Sequence, residues 1–172
     1  MTPPDEVHTE RLRLRRVVAE DLPAALAIMS DPETNHHNPD GTPTPERTAV
    51  QLAEWLRHWA EDGIGYWAVE LRGRVIGFGG LRTYGLDGEP TLNLFYRFTP
   101  AHWGFGYATE MADAAITWAT SARPDRPVVI LTGLDNKPSQ RVAEKLGFVR
   151  TGTTDHDTMH VYRRVHDSTI VT

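Results

Sequence analysis

The sequence predicts a mixed α/β fold, an α+β sheet with helices on both faces, in the order β-α-α-β-β-β-α-β-α-β-β. Three observations predict it. Short runs with period-two alternation, separated by turn residues, mark hairpin strands. Runs with apolar residues three and four apart mark amphipathic helices. Late in the chain a continuous apolar run, "PVVILTG", sits between two helical segments, as a central strand covered on both faces does. With 172 residues the chain reads as one domain, residues 1–172, large enough for a real core.

Each element has its own reason. "ERLRLRRV" alternates Leu12 and Leu14 with Arg11, Arg13 and Arg15, a half-buried strand with a solvated arginine face. In "AEDLPAALAIMS", Leu22, Ala25, Leu26 and Met29 share a helical face, and Pro23 fits only the first turn. "DPETNHHNPDGTP" is rich in breakers and reads as an exposed loop. Thr44 and Pro45 open a second helix as N-cap and first helical residue. Leu52, Trp55, Leu56 and Trp59 form its apolar stripe, and Gly63 suits its exit. Two helices after one strand form a cap over one side of the sheet.

"GYWAVELRGRVIGFGGLR" gives a hairpin around Arg72 and Gly73. "TLNLFYRF" is the fourth predicted strand, reached through the turn residues of "YGLDGEP". A glycine stretch and a helix over about residues 104–121 follow. Ala108, Met111, Ala112, Ala115 and Ala119 give that helix a narrow face suited to lying close on a sheet. After "PVVILTG" a helix spans about residues 137–146, with Pro138 in its first turn and Gly147 closing it before Phe148. "FVRTGTT" and "MHVYRRV" make a terminal pair of strands around "DHD".

Composition narrows the function. Charged residues are 24% and hydrophobic residues 40%, as in ordinary globular domains. The formal net charge of −5 argues against a nucleic-acid grip, which needs a basic face. The chain has no Cys, so disulfides, thiolate nucleophiles and Cys-ligated zinc are excluded. "MTPPDEVHTE" lacks the apolar run of a signal peptide, and no segment reaches the ~18 apolar residues of a membrane span. A cytoplasmic protein without membrane or nucleic-acid partners is the expectation.

The informative stretch is "HWGFGYATEM". A helix N-terminus carries unsatisfied N–H groups and about half a positive charge, and the residues before it can add further N–H groups. A side chain at Gly104 or Gly106 would crowd an anion there. The stretch is therefore a candidate pyrophosphate cradle, against the plainer reading of a turn with no ligand. It is not a Walker loop, because no Lys follows the glycines. It departs from the dinucleotide fingerprint, with Thr109 in the last position and five residues between strand and glycines. "NKPSQRVAEKLGF" opens the next helix with Ser139 on the same inward face as Val142, Ala143 and Leu146. Asn136 serves either a ligand or the helix cap.

At these residues the chain resembles the GNAT superfamily of acetyl-coenzyme A-dependent N-acetyltransferases, and looks closest to its ribosomal-protein N-terminal acetyltransferase branch. "TERLRLRRVVAEDL", the pattern P-x-x-W-G-x-G-Y-A-T-E at residues 100–110 and N-K-x-S-x-R-V-x-E-K-L-G-F at residues 136–148 carry the resemblance, which spans about residues 8–165. It implies a sheet splayed between the fourth and fifth predicted strands. The backbone of Arg97 and Phe98 would pair with the pantetheine arm. The N–H groups of Trp103, Gly104, Phe105, Gly106, Tyr107, Ala108 and Thr109 would hold the pyrophosphate. Asn136 would bond the pantetheine, and Ser139 would sit near the thioester sulfur. Related enzymes often carry Glu where this chain has Asn93.

The implied chemistry is attack of a primary amine, on a protein N-terminus or a small molecule, on acetyl-coenzyme A in a ternary complex. Ser139 is the first candidate acid for the thiolate and Tyr162 the second. Glu70, Asp135 and relayed water are the candidate routes for the amine proton. Asn35, His36, His37 and Asn93 are expected near the acceptor. "DHDTMH" and His36–His37 look ligand-like but read better as a turn and a loop, so no metal is expected. A homodimer is left open. The rival reading is a coenzyme A-binding regulatory or accessory domain with little or no activity.

Overall fold

The computed structural model describes residues 6–154 and 156–164. Its eight strands are β1 (Glu6–His8), β2 (Arg13–Arg16), β3 (Tyr66–Leu71), β4 (Arg74–Leu86), β5 (Glu89–Phe98), β6 (Val128–Gly133), β7 (Phe148–Thr153) and β8 (Met159–Arg164). Its helices are α1 (Leu22–Met29), α2 (Pro45–Asp62), α3 (Tyr107–Ala122) and α4 (Lys137–Lys145). The sheet order is β1-β2-β3-β4-β5-β6-β8-β7, with one parallel neighbour pair, β5 and β6. The strand β1 is an addition to the predicted order, so the predicted fourth and fifth strands are β5 and β6.

Helices cover both faces. Phe78 and Gly79 are adjacent on β4 and so point to opposite sides of the sheet. The ring of Trp55 on α2 lies 5.5 Å from Phe78. A Cβ built on Gly79 would lie 2.7 Å from the Met111 side chain of α3. Gly79 therefore lets α3 approach closely, and the Ala112, Ala115 and Ala119 face is buried there.

The caps follow the sequence. The Thr44 hydroxyl accepts from the Arg47 N–H at 3.1 Å, and Gly63 ends α2 with φ 65°. The hairpin at Arg72 and Gly73 has φ 50° and 81°, the paired left-handed geometry of a two-residue turn. The next turn is tighter than "YGLDGEP" suggested. It is reduced to Asp87 and Gly88, because the β4–β5 ladder continues to the pair Leu86–Glu89. The "DHD" turn contains His156 and Asp157, while Asp155 lies outside the described residues.

Two features place the site. First, β5 pairs with β6 only from Leu92–Val128 to Leu94–Ile130, then continues to Phe98 paired with β4 alone. The two parallel strands part after Leu94. Second, α3 begins at Tyr107 rather than at Gly104. Gly104 and Gly106 both have φ 81°, a left-handed conformation that ends any helix before it starts.

Candidate active site

The loop between β5 and α3 presents bare main chain. The N–H groups of residues 104–109 have no acceptor among the described residues, because the first turn of a helix has none within itself. The glycines leave this patch open. A Cβ on Gly104 meets nothing within 4 Å, and one on Gly106 meets only Arg11 at 3.5 Å. Trp103 departs from expectation. Its N–H donates to the Pro100 carbonyl at 3.2 Å and its indole N–H to the Phe98 carbonyl at 2.9 Å. The free donors are thus six, not seven, and Trp103 serves to fix the loop.

The N-terminal turn fastens this loop. Arg11 donates to the Phe105 carbonyl at 2.8 Å and to Glu110 at 2.7 Å, and lies over the Tyr107 ring at 4.4 Å. Thr9 and the Arg11 N–H also donate to Glu110. Burial would raise the Glu110 carboxyl, but these bonds outweigh it and hold it below its ordinary range. A cleft of about 550 Å³ opens beside them between Arg11, Gly106, Thr109 and Lys145.

The parted edge of β5 has a definite register. The Leu92 N–H donates toward β6, to the Pro127 carbonyl at 3.0 Å. Alternation then points the main chain of Leu94, Tyr96 and Phe98 the same way. Arg97 faces the other way, its carbonyl 2.7 Å from a Cβ built on Gly77 of β4. The expected pairing through Arg97 is therefore corrected. The free edge is offered by Tyr96 and by the Phe98 N–H.

Tyr96 is also the residue that sequence reasoning missed. Its hydroxyl donates to Ser139 Oγ at 3.1 Å across the parted strands. Burial pushes the Tyr96 phenol up, and the Ser139 bond offsets this only in part. The sequence signal was available: in "LFYRF" the period-two pattern puts Tyr96 opposite Arg97, toward the helix bearing Ser139. Asn136 caps α4, accepting the Ser139 N–H at 3.2 Å, which leaves its amide N–H₂ for another partner. Tyr162 stands on β8 opposite Ile130, buried in the core. Burial and Glu144 push its phenol up, against Arg150.

The other face of the parted strands gathers the remaining predicted residues. Asn93 stands opposite Arg82 on β4, and its Oδ1 is buried without a partner. Arg82 Nε and His58 Nδ1, on α2, are likewise buried and unpartnered. The buried Tyr66 hydroxyl is pushed up to about 12 by desolvation, against Arg82 and a bond from Asn93. Asn35 is buried and fully engaged. It donates to the Met29 and Asp31 carbonyls and accepts from Arg97 at 2.8 Å and Asn38 at 2.9 Å. The His37 carbonyl packs on Gly133, and its ring lies 3.6 Å from Asp135. His36 and His37 meet edge to face at 4.9 Å. The α1–α2 loop therefore touches β5 through Asn35 and the end of β6 through His37, arching over the gap.

Glu70 does not belong to this group. It is bonded by Arg13 at 2.8 Å and Arg15 at 2.7 Å, and Arg15 also grips Asp21. Burial would raise its carboxyl, yet the bonds from Arg15 and Arg13 hold it low. A carboxylate so committed is a poor proton acceptor.

A bare-amide cradle at a helix start, beside two parted parallel strands, has the chemistry to hold a phosphate-bearing ligand with a long arm. The comparisons with known proteins agree. The chain matches the acetyltransferase (GNAT) domain family over residues 11–149. It belongs to the GNAT acetyltransferases.

As a GNAT N-acetyltransferase it is implied to use acetyl-coenzyme A. An uncharacterized N-acetyltransferase of Bacillus subtilis, YoaA, is 25% identical over 152 residues, covering 85% of this chain and 84% of that one. The structure of an acetyltransferase from Agrobacterium tumefaciens is 28% identical with a TM-score of 0.81, covering 95% of each chain. Solved neighbours of the same fold include a ribosomal L7/L12 α-N-protein acetyltransferase in complex with coenzyme A. That chain is 19% identical with a TM-score of 0.68, and the match covers 95% of this chain and 97% of that one. No helix among the described residues is long and apolar enough to cross a membrane.

Proposed function

We propose that this GNAT acetyltransferase moves the acetyl group of acetyl-coenzyme A to a primary amine, on a protein N-terminus or a small molecule, by direct attack in a ternary complex. The observation that carries the reading is the six free N–H groups of residues 104–109, next to the open edge of β5. The residues fit the co-substrate. Gly104, Phe105, Gly106, Tyr107, Ala108 and Thr109 would hold its diphosphate, Tyr96 and Phe98 its amide-bearing arm, and Asn136 a further arm amide. Bound there, acetyl-coenzyme A supplies a thioester carbonyl open to attack.

Ser139 and Tyr96 act on the leaving side. The Tyr96 hydroxyl donates to Ser139 Oγ, so the Ser139 proton is turned outward and free to pass to a departing sulfur. Asn93 Oδ1, a buried acceptor without a donor, would take an N–H of the incoming amine. Asn93 itself takes no proton, so proton removal falls to water along the Asn93, Tyr66 and His58 group. His36 and His37 line the arch over this side.

Calorimetry with coenzyme A and an acetyl-coenzyme A consumption assay over an amine panel test the reading. We expect binding, turnover, and loss of binding in Gly106→Val. The second reading, a coenzyme A-binding accessory domain, is favoured by the amide at Asn93. Binding without turnover, unchanged by Ser139→Ala, would establish it.

A further inference from the structure

We propose that the acceptor amine carries a carboxylate and that Arg97 reads it; this rests on the acetyltransferase reading above. Among the described residues the guanidinium of Arg97 has one bond, from Nη1 to the neutral Asn35 Oδ1 at 2.8 Å. It lies over the Phe95 ring at 5.4 Å. No carboxylate among the described residues pairs with it, and desolvation alone lowers it to about 10. A half-buried cation without a counter-ion is costly, and a ligand anion is the partner that would offset the cost.

The remaining guanidinium nitrogens are not sealed off. None is both buried and unpartnered, so these N–H donors reach solvent. Asn35 fixes the fork in place, being itself buried and tied to the Met29 and Asp31 carbonyls. The arrangement is thus a held bidentate donor with its open side outward.

Position says what it faces. Asn93, Phe95 and Arg97 alternate along β5 and share the face away from α3. Asn93 stands one residue before the strands part, with an unpartnered acceptor. Arg97 lies four residue steps further along the strand, roughly 13 Å at the usual rise. Amine at Asn93 and anion at Arg97 therefore fit an extended acceptor such as a short peptide with an acidic side chain. A single guanidinium with a neutral helper matches one negative charge, a carboxylate rather than a phosphate dianion.

The test uses the whole protein and matched tripeptides with a free N-terminus, ending in Asp or Asn as C-terminal amides. We expect kcat/KM about tenfold higher for the acid, carried mostly by KM. In Arg97→Gln the acid-to-amide ratio falls to near one, and Arg97→Lys gives an intermediate ratio. Equal rates on acid and amide in the unsubstituted protein, or a ratio unmoved by Arg97→Gln, overturn the proposal. A second readout needs no turnover. In the coenzyme A-loaded protein, the Arg97 Nε–H resonance should shift on titration with the N-acetylated acid peptide and not with its amide. No shift, or equal shifts, overturns the proposal even if the variants fail to fold. Failure to bind coenzyme A would instead overturn the reading on which it rests.

Discussion

The acid role proposed for Ser139 depends on its neighbours. A serine hydroxyl in water is a weak acid and offers no direction. Here Tyr96 donates to it at 3.1 Å and Asn136 caps the main chain beneath it, so its own proton has one way out. Ser139→Ala is expected to lower kcat by about 10²-fold, the lower end of what a positioned acid contributes. Tyr96→Phe should lower kcat less, about tenfold, because it frees the direction of the hydroxyl without removing it. Steady-state kinetics with KM for acetyl-coenzyme A held as a control would check both. The sequence marked Ser139 as a candidate, since a serine in the first turn of an inward face has few uses. Tyr96 was hidden because it looked like a packed aromatic. The direction of Arg97 was readable from alternation, but knowing which phase faces the gap required the register with β4.

Elements explain what residues alone do not. Glu70 reads as a candidate base until its strand neighbours are known. Arg13 and Arg15, two apart on β2, both reach it, and this turns it into a tie between β2 and β3. Its carboxyl is held below the unfolded value of about 4.3. The folded state therefore binds fewer protons there than the unfolded chain. The stabilisation is complete above the unfolded value and is lost as pH falls through the folded one. Urea midpoints measured from pH 7 to pH 3 should fall in the unsubstituted protein, while Glu70→Gln starts lower and falls less. Thr44 tests a different element. Removing its cap in Thr44→Ala should cost about 1 kcal/mol, and thermal unfolding should show it as a Tm lower by about 3 °C. Both caps of α2 were plain in the sequence, because Thr-Pro and Gly have few other meanings. The strand β1 was not, since three residues ending in an exposed His8 carry no period.

At the scale of the whole molecule, the site is where two halves of the sheet stop agreeing. The antiparallel ladders from β1 to β5 are continuous, and β6, β8 and β7 form their own run. Three residue pairs join them. A ligand lodged along the open edge of β5 and gripped at α3 binds only the folded chain, so it must raise stability by mass action. At coenzyme A one hundred times its dissociation constant the gain is about 2.7 kcal/mol. For a chain of this size a thermal scan should read that as a rise of about 8 °C. Gly106→Val should remove the rise; its ligand-free Tm should also fall, because valine at φ 81° is strained, so the readout is the shift on adding coenzyme A rather than the absolute Tm. The order of elements was legible from period and turn residues. The width of the gap was not, because strand separation leaves no mark on either strand's own pattern.

Gly79 gives this arrangement a remote weak point. A Cβ there would lie 2.7 Å from the flexible end of Met111 on α3, and also 2.7 Å from the fixed Phe95 carbonyl and 3.0 Å from the Tyr96 Cα of β5. Met111 sits one turn into α3 and can give way, whereas the main chain of β5 cannot. An alanine at position 79 would act as a wedge against β5, displacing that strand around Tyr96. Such a lesion lies deep in the sheet and touches no ligand atom, yet it would surface first as poorer capture of coenzyme A.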